Sequence, residues 1–208
     1  MLVWVAAMHC EAKPVIDYYR LKKSRIDHPF DLYQGDRMLC VISGIGKTAV
    51  AAASAWVAAL NREQASLAWI NLGTAGSAQY AIGTALVINK ITECDSNHSF
   101  YPVPLIETTL EAAHCLTLNQ ASSEYHPKHL FDMEASAFFA TATRFSSAEL
   151  VQCIKVISDN PKQQTGRDKT RVSQLIAQNI EPLTRFAQSL QALNTLVKES
   201  SPEWIIDT

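Results

Sequence analysis

Three carboxylic acids in the sequence stand where acid–base chemistry could use them. Glu11, Glu134 and Asp159 each follow closely on a short apolar segment with the character of a strand. Parallel strands deliver the residues after their carboxyl ends to one rim of a sheet, so we expect these side chains to share a cleft. There, one carboxyl group can stay protonated while another is ionised, which suits chemistry on a neutral sugar. The alternative is that each acid only begins or caps a helix.

Two glycine-containing segments could contribute backbone groups to a ligand site. Residues 73–77, Gly-Thr-Ala-Gly-Ser, follow an apolar segment, which makes Thr74 and Gly76 candidates for a pocket floor. A turn without a ligand is the alternative. Residues 44–48, Gly-Ile-Gly-Lys-Thr, resemble the end of a phosphate-binding loop, but Val41 stands where that loop needs a glycine. We interpret this segment as a tight strand-to-helix turn, whose N–H groups could still bind one anion.

Histidines and cysteines give weaker signals. His126 and His129 are three residues apart, but the sequence suggests no third ligand, so a surface loop is favoured over a metal site. The five cysteines form no Cys-x-x-Cys pair, and we interpret them as small buried apolar residues. We expect no metal and no cofactor. An odd number of cysteines and an apolar start that fails as a secretory signal indicate a cytoplasmic protein without a disulfide framework.

Composition narrows the class of ligand. The chain has 208 residues, 48% of them hydrophobic, and we expect one domain over residues 1–208. Lys and Arg number 18 against 20 Asp and Glu, so the surplus of positive charge typical of a nucleic-acid binder is missing. Residues 65–89 carry no charge, but glycines and polar residues interrupt them, which favours two buried strands over a membrane span. We therefore expect a small-molecule ligand, with neither nucleic acid nor membrane as partner.

The hydrophobic pattern predicts alternating strands and helices. Strands are predicted at residues 2–8, 30–33, 38–43, 67–72, 84–91, 115–118, 130–132 and 150–157. Helices are predicted at residues 11–19, 48–60, 106–114, 133–145 and 168–197, and a loop at 93–101. Pro182 should kink or split the last helix. This alternation implies an α/β layered fold with a largely parallel central sheet.

The same residues resemble the purine nucleoside phosphorylase and methylthioadenosine/S-adenosylhomocysteine nucleosidase superfamily. Five segments match it in order: residues 7–11, 43–47, 71–76, 132–135 and 156–159. The resemblance implies a single α/β domain of three layers, with a mixed, largely parallel twisted sheet flanked by helices. It also implies cleavage of the N-glycosidic bond of a purine nucleoside, and assembly as a homodimer or a higher homo-oligomer.

The resemblance implies two catalytic residues. Asp159 matches the acid that hydrogen-bonds and protonates the departing purine near N7, with Ser158 beside it. Glu11 matches the glutamate that activates the attacking water in the hydrolases of the superfamily. Departure of the base leaves a ribose that resembles an oxocarbenium ion, so protonation of the base and nearby carboxylates both lower the barrier.

Five residues, Ser158 among them, are implied to bind substrate. Glu134 matches the glutamate that hydrogen-bonds ribose hydroxyls, and Met133 the methionine packed beneath the sugar. Thr74 and Gly76 would line the floor of the pocket.

The sequence departs from the pattern of the superfamily in several places. Residues 119–125 replace the Ser-Gly-Asp-x-Phe segment with which its hydrolases grip the base, and the segment 95–132 is shorter, which predicts an open pocket. Lys155 stands where an arginine is common, which replaces a bidentate fork by a point charge. No arginine occurs between Arg62 and Arg144. Because the phosphorylases hold phosphate with cationic residues, this absence favours hydrolysis over phosphorolysis.

Two alternatives stay open from the sequence. One is a nucleoside phosphorylase in which Lys47 or Lys90 holds phosphate. The other is a relative that binds nucleosides without cleaving them, because its base-binding segment is altered. Retention of the three carboxylic acids favours the enzyme. The aromatic segment 100–102 is predicted to complete the pocket of a neighbouring subunit, although a loop that folds back on its own chain is equally compatible with it.

Overall fold

Strands and helices alternate along the chain in the computed structural model, which describes residues 1–62, 66–122, 124–164 and 168–200. The helices are α1 (His9–Tyr19), α2 (Lys47–Leu60), α3 (Ala135–Ala142), α4 (Lys169–Ala177) and α5 (Ile180–Ser200). The strands are β1 (Leu2–Ala6), β2 (Lys22–Lys23), β3 (Asp31–Gly35), β4 (Met38–Ile42), β5 (Ala68–Gly76), β6 (Ala85–Glu93), β7 (Ser99–Phe100), β8 (Glu111–Thr117), β9 (Leu130–Asp132), β10 (Val151–Asn160) and β11 (Gln163–Gln164). The predicted α/β fold is confirmed.

The strands form one mixed sheet whose long central ladders are parallel. Strand β1 lies between β4 and β5, and β5 pairs on its other side with β10; all four run in the same direction. Strand β6 is antiparallel to β10 and parallel to β8, which is parallel to β9. Strand β9 returns to the end of β5 through one antiparallel bridge between Gly76 and Phe131.

Helices cover both faces of the sheet, which explains why the central strands are buried on both sides. In β1, Leu2 and Trp4 pack into the core formed with α1, α4 and α5. Val3 and Val5 alternate with them and pack into the core formed with α2 and α3. A strand with two buried faces reads as a continuous apolar run, and β1 is buried throughout.

Three local predictions are wrong. The helix predicted at 106–114 is absent, and residues 111–117 form strand β8, paired in parallel with β6. Ala113, Cys115 and Thr117 alternate as its buried side chains, so pairing with β6 overrides local helix propensity. The loop predicted at 93–101 contains the end of β6 and the short strand β7. Strand β5 continues through Gly76, four residues beyond its predicted end at residue 72.

The predicted C-terminal helix is split in two, in agreement with the effect expected of proline. Helix α4 ends at Ala177, α5 begins at Ile180, and Pro182 lies in the first turn of α5, where its missing N–H costs no hydrogen bond. Asp168 caps α4 by accepting hydrogen bonds from the N–H groups of the next turn. Among the described residues, no helix is long and apolar enough to cross a membrane.

Candidate active site

A cavity of about 440 Å³ opens where β1, β5, β9 and β10 end. The seven site residues predicted from the sequence all lie along its wall: Glu11, Thr74, Gly76, Met133, Glu134, Ser158 and Asp159. The arrangement of the strands that carry these residues to the cavity differs in part from the predicted one. Strands β1, β5 and β10 deliver their residues as parallel neighbours, whereas β9 reaches the cavity through its antiparallel bridge to Gly76.

Glu11 is held in place by three hydrogen bonds near the start of α1. Its Oε2 accepts from the N–H of Met8 at 2.9 Å, which closes the first turn of the helix. Its Oε1 accepts from the N–H of Thr74 at 2.9 Å and from the Thr74 hydroxyl at 3.0 Å. The side chain is only 3% exposed, and burial raises the pKa of Glu11 above its ordinary value, although these hydrogen bonds oppose the shift.

Glu134 faces the cavity from the residue before α3. Its Oε1 accepts a hydrogen bond of 2.7 Å from the N–H of Gly46, at the start of α2. Gly46 has a φ of 98°, so this turn between β4 and α2 favours glycine. Burial, together with the negative charges of Asp132 and Glu11, raises the pKa of Glu134 to about 7, against the opposing charge of Lys155.

A buried ion pair lies behind the two glutamates. Lys155 Nζ lies 2.8 Å from Asp132 Oδ2 and donates to Asn71 Oδ1 at 2.8 Å, and both charged side chains are fully buried. Asp132 also accepts hydrogen bonds from the Thr117 hydroxyl at 2.7 Å and the Ala135 N–H at 2.7 Å. The sequence analysis missed this pair, although a lysine inside the apolar strand β10 is a signal that could have found it.

Gly73 allows the ion pair and Glu11 to approach each other. A Cβ atom at this position would lie 3.3 Å from Lys155 Nζ and 3.4 Å from Glu11 Oε1. The lysine charge therefore acts on both glutamates, and it lowers the pKa of Glu11 and of Glu134 relative to what burial alone would give.

Asp159 lines the cavity from the end of β10. The register of β10 against β5 shifts between Ile157 and Asp159, which places a bulge at Ser158. The Ser158 hydroxyl donates to Asp159 Oδ2, and the Asp159 carbonyl accepts from the N–H of Ser77 at 2.9 Å. The bulge and these bonds orient Asp159 at the rim of the sheet.

Two aromatic rings that the sequence analysis did not assign to the site flank this side. Tyr125 packs so closely on Gly76 that a Cβ there would lie 2.8 Å from its Cε1 atom, and the Phe131 ring centroid is 6.4 Å from that of Tyr125. Burial, and then the charge of Asp159, raises the pKa of Tyr125. The cavity thus has an aromatic side beside Asp159 and an acidic side formed by Glu11 and Glu134.

Comparison with solved structures finds nucleosidases among the proteins of similar fold. A 5′-methylthioadenosine/S-adenosylhomocysteine (MTA/SAH) nucleosidase shares 18% identity and a TM-score of 0.69, over 91% of this chain and 95% of that chain. The enzyme from S. pneumoniae, determined with a transition-state inhibitor, shares 18% identity and a TM-score of 0.68, over 91% and 99%. The 5′-methylthioadenosine nucleosidase of Arabidopsis thaliana shares 18% identity and a TM-score of 0.67, over 91% and 95%.

No protein-family model and no curated protein sequence matches the chain. The structural likeness covers nine-tenths of the chain and nearly all of each nucleosidase. At 18% sequence identity, this likeness establishes the fold. The protein has the three-layer α/β fold of the MTA/SAH nucleosidases.

Proposed function

We propose that the protein hydrolyses the N-glycosidic bond of a purine nucleoside. The observation that carries this proposal is the convergence of Glu11, Glu134 and Asp159 on one cavity that is aromatic on one side and acidic on the other. A nucleoside has the same division, with a flat base at one end and a hydroxylated sugar at the other. The likeness in fold to MTA/SAH nucleosidases supports the same conclusion.

Asp159 and Glu11 divide the chemistry of bond cleavage between them. Asp159 transfers a proton to the base near N7, so that the bond to C1′ breaks and the base leaves as a neutral molecule. Glu11 accepts a proton from a water molecule as the water oxygen bonds to C1′. Burial makes Glu11 a stronger base than an exposed glutamate, because its pKa is raised.

Glu134, Met133 and the end of β5 bind the substrate. Ionised Glu134 accepts hydrogen bonds from ribose hydroxyls, and its charge stabilises the positive charge that develops on the sugar. Met133 provides a soft apolar surface beneath the sugar. Thr74 and Gly76 form the floor, where Gly76 leaves room for the aromatic side of the cavity.

Hydrolysis is favoured over phosphorolysis because backbone N–H groups that could bind phosphate already donate to carboxylates. The N–H groups of Met8, Gly46 and Thr74 already donate to Glu11 or Glu134. None of the described residues along the cavity wall is lysine or arginine, and Lys155 behind it is paired with Asp132. A phosphate dianion would meet two carboxylates and no cation, whereas water carries no charge and suits this site.

We further propose that the protein forms a homo-oligomer and lies in the cytoplasm. The exposed segment with Tyr101, Val103 and Leu105 follows strand β7 and would pack against a second copy of the chain, with residues 100–102 at that copy's pocket. A cytoplasmic location is supported by the five cysteines, which are all free and mostly buried.

Incubation with a panel of purine nucleosides, including 5′-methylthioadenosine, tests the proposal. Each reaction is run with and without inorganic phosphate, and the free base is measured by chromatography. We expect base release that is independent of phosphate, with a reducing sugar as the second product. Release only with phosphate would identify a phosphorylase. Binding of nucleosides without release of base under either condition would identify a nucleoside-binding protein.

A further inference from the structure

Three histidine rings pack against one another beside the cavity. His129 lies centrally, with its ring centroid 4.2 Å from that of His114 on β8 and 4.5 Å from that of His126. The His126 and His129 rings are stacked at an interplanar angle of 10°, whereas His114 meets His129 edge-on. His114 Nε2 lies 2.8 Å from the Thr92 hydroxyl on β6. The contacts join the segment before β9 to two strands of the sheet.

The same segment places a side chain in the cavity. Residues 124–129 form no helix or strand. At the inner end, Tyr125 lies against Gly76 and lines the cavity; at the outer end, His126 and His129 pack on His114. The histidine cluster therefore attaches this segment, which carries Tyr125, to the sheet.

The groups that act electrostatically on the cluster are positive or become positive with acid. Lys90 on β6 is the ladder partner of His114, and its ammonium lies over the Tyr101 ring. Lys128 lies within the segment, and its N–H donates to His126 Nδ1 at 3.2 Å. Glu124, at the start of the segment, is exposed. Ionisation of any imidazole thus adds a charge next to other cations.

We propose that the cluster of His114, His126 and His129 is a pH-sensitive latch that holds residues 124–129 over the cavity. With neutral rings the cluster is packed and Tyr125 stays beside Gly76. Protonation of the rings drives them apart by repulsion, and the segment moves away from the cavity.

The direction of the pH effect depends on whether the open or the closed form of the segment binds protons more tightly. Burial, and then the charges of His129, Lys90 and His126, lowers the pKa of His114 to about 4. Burial and His126 lower the pKa of His129 as well. Released rings have the ordinary pKa of about 6.5, so between pH 6.5 and 4 the open form binds more protons than the closed form. Falling pH therefore favours opening, by about 30-fold at pH 5 from His114 alone.

Hydrogen exchange of the full-length protein tests the latch without any use of enzymatic activity. Peptides that cover residues 124–129 are followed between pH 7.5 and 5, with rates corrected for the intrinsic pH dependence of exchange. We expect protection in this segment to fall at least tenfold in the wild type. The variant with His114→Phe and His129→Phe keeps two rings that cannot ionise, and should stay protected at pH 5. His28→Phe is the matched control, because His28 packs on Trp56 outside the cluster; it should behave as the wild type does.

A second measurement covers the case in which the double variant does not fold. Proton NMR of the wild-type imidazoles should show two histidines whose pKa values lie below the ordinary value, together with the loss of protection. Unchanged protection of the segment at pH 5 in the wild type would overturn the proposal, and so would an equal loss in the folded double variant.

The latch bears on the proposed function through substrate binding. If the protein is a nucleosidase, opening should raise the KM for the nucleoside at pH 5 more in the wild type than in the double variant. If no nucleoside is cleaved, the proposed function fails, while the exchange experiment still decides whether the latch exists.

Discussion

Replacing Lys155 by methionine removes the cation of the buried ion pair while keeping an unbranched side chain only one atom shorter. Both side chains of the pair have no solvent exposure, and Nζ and Oδ2 are 2.8 Å apart. Breaking such a pair by removing one partner costs about 3–5 kcal/mol, because a charge stays buried without compensation. Asp132 would keep its hydrogen bonds from Thr117, Ala135 and Glu134. We therefore expect Lys155→Met to lower the free energy of unfolding by about 3–4 kcal/mol at pH 7.5.

The loss of stability caused by Lys155→Met should depend on pH. Burial alone would raise the pKa of Asp132, but the charge of Lys155 holds it below its ordinary value. Lys155 also opposes the raised pKa values of Glu11 and Glu134. Without the lysine, all three pKa values rise, so the folded variant binds more protons than the folded wild type between about pH 7.5 and 5. The difference in stability between wild type and variant should therefore shrink as the pH falls through this range.

Urea unfolding, followed by the fluorescence of the buried Trp4 and Trp69, measures this difference at constant protein concentration. Lys13→Met is the matched control, because Lys13 and Asp17 form an exposed ion pair on α1, and it should cost at most about 0.5 kcal/mol.

Adding Asp132→Asn to Lys155→Met removes the unpaired charge and should restore part of the loss at pH 7.5. The reasoning is refuted if Lys155→Met is as stable as the control, or if the double variant is less stable than the single one.

Further results are expected for three variants and for the assembly state. Asp159→Asn keeps the shape of the side chain but removes the proton donor, so turnover should fall by ~10²–10⁴-fold while nucleoside binding, measured by calorimetry, changes much less. Glu11→Gln should also leave binding intact and abolish hydrolysis in the same base-release assay; if both variants cleave nucleosides as fast as the wild type, the assigned roles are wrong. Glu134→Gln should weaken binding and turnover together. Because the folded-state pKa of Glu134 is about 7 and its ordinary value is 4.5, ionisation of this group costs stability as the pH rises through that window. Glu134→Gln should therefore have a free energy of unfolding about 1–3 kcal/mol above that of the wild type at pH 8, measured with urea. This difference should disappear near pH 5. Light scattering should give at least twice the 23.0 kDa mass of one chain at micromolar concentration; a monomer would contradict the proposed assembly.

The local pattern of apolar and polar residues was sufficient to predict most of the fold. The apolar runs at 2–8, 38–43 and 150–157 correspond to β1, β4 and β10, because a strand buried on both faces has little freedom in composition. The matched segments of the resemblance also placed seven residues that the structure brings to one cavity. These features depend on the order of residues along short stretches, and short stretches are what a sequence displays directly.

Long-range contacts decided the rest. Strand β8 begins at residue 111 because β6 pairs with it, although the sequence predicts a helix up to residue 114 and a strand only from residue 115. The ion pair of Lys155 and Asp132, and the contact of Tyr125 with Gly76, join residues that are far apart in the chain. Spacing in the sequence does not encode such distances. The sequence by itself therefore determined which chemical groups are present and the strands that carry them. Only the tertiary structure decided how those groups change one another's charge, because pKa values depend on burial and on neighbours brought together by folding.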